Sequence, residues 1–290
     1  MPLTRRMGGA VVVAAVLCAL PAASAAGQRA DAVARWEVSL GGSLSAPAGW
    51  VQVRENQIEG TRLNLRHDLG VVRAHAVALG LGYHVSDATA VRLSLESNAL
   101  DGRVLLPGDV IFNGTTLAAG TTLETRTHFP YFVRATVSAD RRLLGIGRAG
   151  YLSGMAGLTF VMLTFQLHGT IAPASVGHET KEDFVTQELP VPALGLTLDY
   201  PFARHLYVRS SLDGGYLPWV NSLRHEGGEV RLTQRHVDFG VGLGYAVTPT
   251  LLAEGGYRYS DFVQRESSRE DGNDIRLTEH GARLELVYRF

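Results

Sequence analysis

Apolar and polar residues alternate with a period of two over most of the chain. Near its end, Leu284, Leu286, Tyr288 and Phe290 alternate with Arg283, Glu285, Val287 and Arg289. Val237, Phe239, Val241, Leu243 and Tyr245 alternate with Asp238, Gly240, Gly242 and Gly244. Leu251, Ala253, Gly255, Tyr257 and Tyr259 alternate with Leu252, Glu254, Gly256, Arg258 and Ser260. Shorter versions start at Trp36, Val91, Phe129, Leu194 and Leu206. A period of two belongs to strands with two unlike faces, whereas an amphipathic helix repeats at about 3.6. The pattern predicts strands over 36–45, 67–83, 89–99, 126–138, 147–167, 186–200, 205–217, 231–246, 250–264 and 276–290. The segment 147–167 is ambiguous: Leu158, Phe160 and Met162 compete with Val161, Leu163 and Phe165 for the apolar face.

The connectors alternate in length. Long ones span 46–66, 100–125, 168–185, 218–230 and 265–275, and short ones lie near 84–88, 139–146, 201–204 and 247–249. Asp87, Asp140, Pro201 and Pro249 in the short ones suit tight reversals. Ordinary antiparallel sheets also alternate, but a sandwich has no reason to sort its loops. Short turns on one side and long loops on the other mark an up-and-down barrel crossing a bacterial outer membrane, with the turns periplasmic. Strands of about ten residues, tilted about 40°, cover a hydrocarbon core of roughly 25 Å. Closure pairs every backbone group, as lipid requires. The reading is all-β: a closed antiparallel barrel over 36–290, with about ten strands. Extra strands in 58–66 or 100–125 would make about twelve.

The beginning of the chain adds export. Arg5 and Arg6 precede an apolar run from Gly8 to Leu20, and Ala23-Ser24-Ala25 fits a small-x-small cleavage site. The expectation is a signal peptide over 1–25 and a short periplasmic segment over 26–35. The apolar run is about a dozen residues, short of the roughly 20 that span a bilayer as a helix. The single cysteine, Cys18, falls inside it. After cleavage no disulfide, thiolate metal site or cysteine nucleophile remains. A net charge of −1 offers no basic surface to nucleic acid.

The C-terminal Phe290, with Tyr288 and Leu286 on the same face, resembles the signal read by the outer-membrane assembly machinery. That signal often has Gly five positions before the end, where this chain has Glu285. Gly256-Tyr257-Arg258-Tyr259, then a long loop and a last strand, is similar to small outer-membrane barrels. The mature chain as a whole resembles the OmpA-like and omptin-like barrels of eight to ten strands, at the level of architecture and without a subfamily. The resemblance implies the cell outer membrane and contact with its lipid and lipopolysaccharide. It also implies periplasmic chaperones, insertion by the barrel assembly machinery, and a monomer.

If the apolar set faces lipid, the other set lines the lumen. That set holds Glu37, Arg92, Glu96, Arg134, Asp199, Arg209, Asp213, Asp238, Glu254, Arg258, Arg283 and Glu285. Buried charges must be paired or hydrated, so these predict a network of arginine–carboxylate pairs filling the barrel. Barrels near eight strands are just wide enough for side chains to fill. The acidic excess would make any narrow path cation-preferring. Trp36, Tyr83, Tyr200, Tyr207, Tyr257 and Tyr288 suit interface girdles, and Trp50 and Trp219 lie by the outer loops.

Candidate chemistry is sparse. Omptin proteases carry acidic residues and an Asp–His pair at the extracellular rim, and His236-Val237-Asp238 offers a His and an Asp on one strand face. His67-Asp68 and His225-Glu226 lie toward the same rim. Rim hydrogen bonding explains all three more simply, so His236 and Asp238 are weak candidates and no catalytic residue is assigned. His84-Val85-Ser86 has the His-x-Ser spacing of outer-membrane lipid A deacylases but falls in a periplasmic turn. His128, His168, His178 and His280 lack metal-ligand spacing, so neither metal nor cofactor is expected. Arg54, Arg62, Arg66 and Arg73 surround one outer loop and could meet lipopolysaccharide phosphates. The expectation is a non-enzymatic structural or surface-binding barrel with a filled polar lumen. A narrow solute or ion channel and a rim-active hydrolase, acting on peptide or lipid, are the alternatives.

Overall fold

The computed structural model describes residues 35–147, 149–170, 178–186, 189–225 and 229–290. The expected signal peptide and nearly all of the 26–35 segment lie outside the described residues, as does Glu226. The elements in chain order are β1 (Trp36–Glu55), β2 (Ile58–Glu59), β3 (Leu63–Asn64), β4 (Val71–Ser86), β5 (Thr89–Leu105), β6 (Val110–Phe112), β7 (Thr115–Leu117) and β8 (Thr122–Thr127). They continue with β9 (Phe132–Ile146), β10 (Gly150–Thr170), β11 (His178–Thr186), β12 (Val191–Pro201), β13 (Leu206–His225), β14 (Glu229–Ala246), β15 (Leu251–Ser267) and β16 (Gly272–Arg289).

These make ten antiparallel staves: β1, β4, β5, β8 with β9, β10, β11 with β12, β13, β14, β15 and β16. The ring closes between the first and last strands, from Glu37↔Arg289 to Arg54↔Gly272. Trp36 and Phe290 finish the seam, each backbone N–H donating to the other's carbonyl at 3.0 Å. The aromatic residue at 290 thus finishes the seam between the first and last strands, which leaves neither of them as an open edge there.

Strand order matches the sequence reading, with ten staves rather than twelve, but the sorting of connectors holds only in part: the connections from His225 to Glu229 and from Ser267 to Gly272 are as short as the turns at the other end. The strand lengths do not match. Much of the chain expected as long loops is extended wall: β1 runs to Glu55 and β13 to His225. At the other end, 139–146 is strand rather than turn. Asp140 pairs with Ala90, and Arg142 N–H donates to the Ala88 carbonyl at 2.8 Å.

The outer wall at mid-height is apolar and open to its surroundings. Leu40, Leu79, Leu93, Leu158, Leu194, Leu212, Phe239, Leu243, Leu284 and Leu286 all point outward and are exposed. An apolar band running round a whole barrel is unstable in water and stable in lipid. In the ambiguous segment Leu158, Phe160 and Met162 face out, while Val161 and Leu163 are buried inside; the Phe165 side chain lies outside the described residues. No helix among the described residues is long and apolar enough to cross a membrane.

The interior has two storeys. Near the short turns the inward positions are polar and charged. Toward the long loops most of these strand faces become apolar, with Gln234, Gln264, Glu266 and Asn273 as buried polar exceptions. In β1, for example, Glu37, Ser39, Ser43 and Ser45 point in, and further along the same face so do Val51 and Val53. Loop segments complete this upper storey. β2 and β3 pair back onto β1, carrying Leu63 and then Leu65 and Leu69 inward. The β6–β7 hairpin turns at Asn113-Gly114, both at positive φ (48° and 68°), and adds Val110, Phe112 and Leu117.

Tyr207 departs from its expected girdle place. It has the parity of Arg209, so its ring lies inside, over Gly244 of the next strand. A Cβ at Gly244 would lie 1.9 Å from Tyr207 Cζ, so no side chain fits there. Gly244→Ala is expected to lower the temperature at which the folded, fast-migrating gel band is lost. The same change in a Tyr207→Ala background is expected to cost little, because the colliding ring is gone.

Candidate functional site

The lower storey is crossed by ion-pair struts. Arg134 on β9 donates to Asp238 Oδ2 on β14 at 2.8 Å. Arg258 on β15 holds both carboxylate oxygens of Glu96 on β5 and reaches Asp238 Oδ1 at 3.2 Å. β9 and β14, and likewise β5 and β15, stand four staves apart. These pairs therefore span the lumen instead of lining one wall. Guanidinium groups suit the task because their planar fork holds two acceptors in fixed directions.

Two smaller groups stand nearer the turns. Arg209 donates to Asp199 Oδ1 at 2.7 Å and approaches Glu254 Oε2 at 3.3 Å, and Arg283 pairs with Glu254 Oε1. The Glu254 side chain is 1% exposed. Around Glu37, Arg92 and Arg289 converge, with Arg289 Nε at 3.0 Å from Oε2, and Arg92 also binds Asp140. The lumen residues read from the sequence are thereby brought together, apart from Asp213 and Glu285, which join no ion pair among the described residues. Asp140, Glu279 and Arg289 belong to the same interior and were missed. Parity would have found Glu279 and Arg289; Asp140 was hidden by its assignment to a turn.

Beneath and between the struts lies a cavity of about 330 Å³ whose lining includes Glu96, Arg134, Asp213, Asp238, Arg258 and Arg283. Above it the barrel is stopped. Leu100, Leu123, Val161, Leu163, Leu167, Phe262, Ile275 and Leu277 from the wall pack with Leu63, Leu65, Leu69, Leu106 and Phe112 from the loops in one continuous buried cluster. A second cluster of Val191, Leu217 and Leu232 closes the β12–β14 side. Close-packed apolar side chains offer an ion no solvation, and taking a charge through them costs far more than thermal energy.

His236 and Asp238 are not at the rim. Both point inward below the apolar storey, and His236 is 2% exposed. A rim-acting base has to reach a substrate, and this imidazole is walled in. His67 is exposed, while Asp68 Oδ2 accepts from the Asn64 backbone N–H at 2.7 Å and shapes its own loop. His84 sits at the turn end, 3.8 Å from Glu37. Of the outer arginines, Arg54 is tied to the Ser268 and Asp271 carbonyls at 2.9 and 2.8 Å, and Arg62 lies over the Trp50 ring at 4.2 Å. Arg66 and Arg73 are exposed.

The family model described as outer membrane protein beta-barrel domain matches residues 12–290. No curated protein sequence matches the chain. Among solved structures, the outer membrane protease OmpT from Escherichia coli is 12% identical with a TM-score of 0.51, covering 88% of this chain and 97% of its own. The translocator domain of the autotransporter NalP from Neisseria meningitidis is 12% identical with a TM-score of 0.33, covering 89% and 90%. The Pseudomonas putida toluene transporter TodX is 9% identical with a TM-score of 0.35, also covering 89% and 90%. At such identities the likeness to OmpT concerns the fold alone.

Proposed function

The chain belongs to the outer membrane protein beta-barrel family, and on that footing we propose that it is a closed, non-enzymatic barrel of the outer membrane whose working surface is its extracellular end. The observation that carries this reading is the apolar core across the upper storey. A porin keeps its axis polar and wet, whereas here inward positions turn to Leu, Val, Ile and Phe where a solute would enter. The cross-lumen struts serve the same end by bracing the wall. Burial of His236 speaks against a hydrolase at the rim. The exposed Arg66 and Arg73 offer guanidinium groups to lipopolysaccharide phosphates, while Arg54 and Arg62 are engaged in holding loops.

Proteoliposome swelling tests the reading. Vesicles holding the refolded protein are expected to swell in arabinose and in small amino acids no faster than empty vesicles. Swelling that scales with the amount of folded protein would overturn closure.

A further inference from the structure

One buried cluster in the lumen is left short of cations. Asp213 on β13 and Asp238 on β14 are direct register partners, both facing in. His236 lies two residues along β14 on the same face. One ligand-capable atom from each of the three lies within 4.8 Å of the others. His236 Nδ1 is buried and has no hydrogen-bond partner among the described residues. The ring is held there by a missing side chain: a Cβ at Gly215, its register partner, would lie 2.4 Å from Cε1. A buried, unpaired imidazole nitrogen is destabilising unless something binds it.

The charges around it do not balance. Glu96, Asp213, Asp238 and Glu279 share this neighbourhood with Arg134 and Arg258, while Arg283, on the same cavity, is engaged by Glu254. Arg258 holds Glu96 and one oxygen of Asp238, and Arg134 holds the other. Asp213 is outside every ion pair among the described residues, and Glu279 Oε1 is buried with no hydrogen bond there. Two carboxylates in excess, inside a barrel, match the charge of one divalent cation.

We propose that Asp213, His236 and Asp238 bind a first-row divalent metal ion, Zn²⁺ foremost, which fastens β13 to β14 and neutralises the lumen. Two carboxylate oxygens and one imidazole nitrogen form a donor set that zinc accepts. Asp238 accepts from Arg134, Arg258 and Ser260, which leaves one of its carboxylate lone-pair sites for an ion. Ligand atoms around zinc lie roughly 3–4 Å apart, so small side-chain rotations close the site. Both aspartates line the 330 Å³ cavity, which has room for water in the remaining coordination positions.

The test is calorimetric titration of ZnCl₂ into the refolded, chelator-stripped protein, with folding checked by heat-modifiable gel migration. One tight equivalent is expected. Asp213→Asn and His236→Gln are each expected to weaken it at least tenfold. His280→Gln, on the exposed outer face, is expected to leave it unchanged. No binding by folded wild-type protein, or undiminished binding by both folded variants, would overturn the site. If neither variant folds, pulsed electron paramagnetic resonance of the Cu²⁺-loaded wild type decides. One coordinated imidazole supports the site, and none refutes it.

Discussion

Replacing Arg258 by leucine is expected to cost the barrel about 3–5 kcal/mol of stability, the range seen when one partner of a buried ion pair is removed. Arg258 holds Glu96 across the lumen and shares Asp238 with Arg134, at 21% side-chain exposure. Its loss leaves Glu96, Asp213, Asp238 and Glu279 with Arg134 as the remaining guanidinium of the cross-lumen struts. The measurement is urea unfolding in lipid vesicles, followed by the fluorescence of Trp36, Trp50 and Trp219. Glu96→Gln added to Arg258→Leu is expected to recover part of the loss, because it removes one of the stranded charges. A change below about 1 kcal/mol for Arg258→Leu would mean that the strut is hydrated and slack, as exposed pairs are.

The second large effect concerns the upper storey. Changing Leu63, Leu65 and Leu69 together to serine is expected to turn a silent barrel into one that passes ions. All three are fully buried, and all belong to the loop that folds back onto β1. The wall pairing does not depend on their side chains, so the barrel is expected to close as before. Without them the remaining wall residues cannot fill the axis, and water can join the loop end to the polar cavity below. Single Leu→Ala changes would cost about 2–5 kcal/mol each but leave most of the plug in place. The triple serine variant is therefore the informative one, read as conductance in a planar bilayer. A folded triple variant as silent as the wild type would show that the remaining packing suffices.

The barrel was legible because lipid and lumen demand opposite chemistries on alternate residues. Phe239, Val241 and Leu243 against Asp238, Gly240 and Gly242 can be nothing but a two-faced strand. Sorted connector lengths then set the orientation, and Arg134, Arg258 and their acids followed from parity. The upper storey was not legible, for the same physical reason. Where a strand rises past the polar lumen into an apolar plug, both faces are apolar or mixed, and the period of two fades. That is why 158–165 looked undecided, with Phe160 facing out and Val161 facing in. It is also why β1 and β13 seemed to stop well short of Glu55 and His225. Tyr207 was misplaced because an aromatic near a strand end suggests a girdle, although its parity matched Arg209. Of the Asp213–His236–Asp238 cluster, the sequence placed His236 and Asp238 on one strand face. Asp213 joins them only through the register of β13 on β14, which one strand's sequence does not contain.

The claim that an apolar core closes the barrel is tested most directly by planar-bilayer recording of the wild-type protein, after heat-modifiable migration confirms that it has folded. A flat baseline at both polarities is expected, in protein amounts at which a known porin gives steps. Reproducible unitary steps from the folded wild type would contradict it and would mean that the upper storey opens in a membrane.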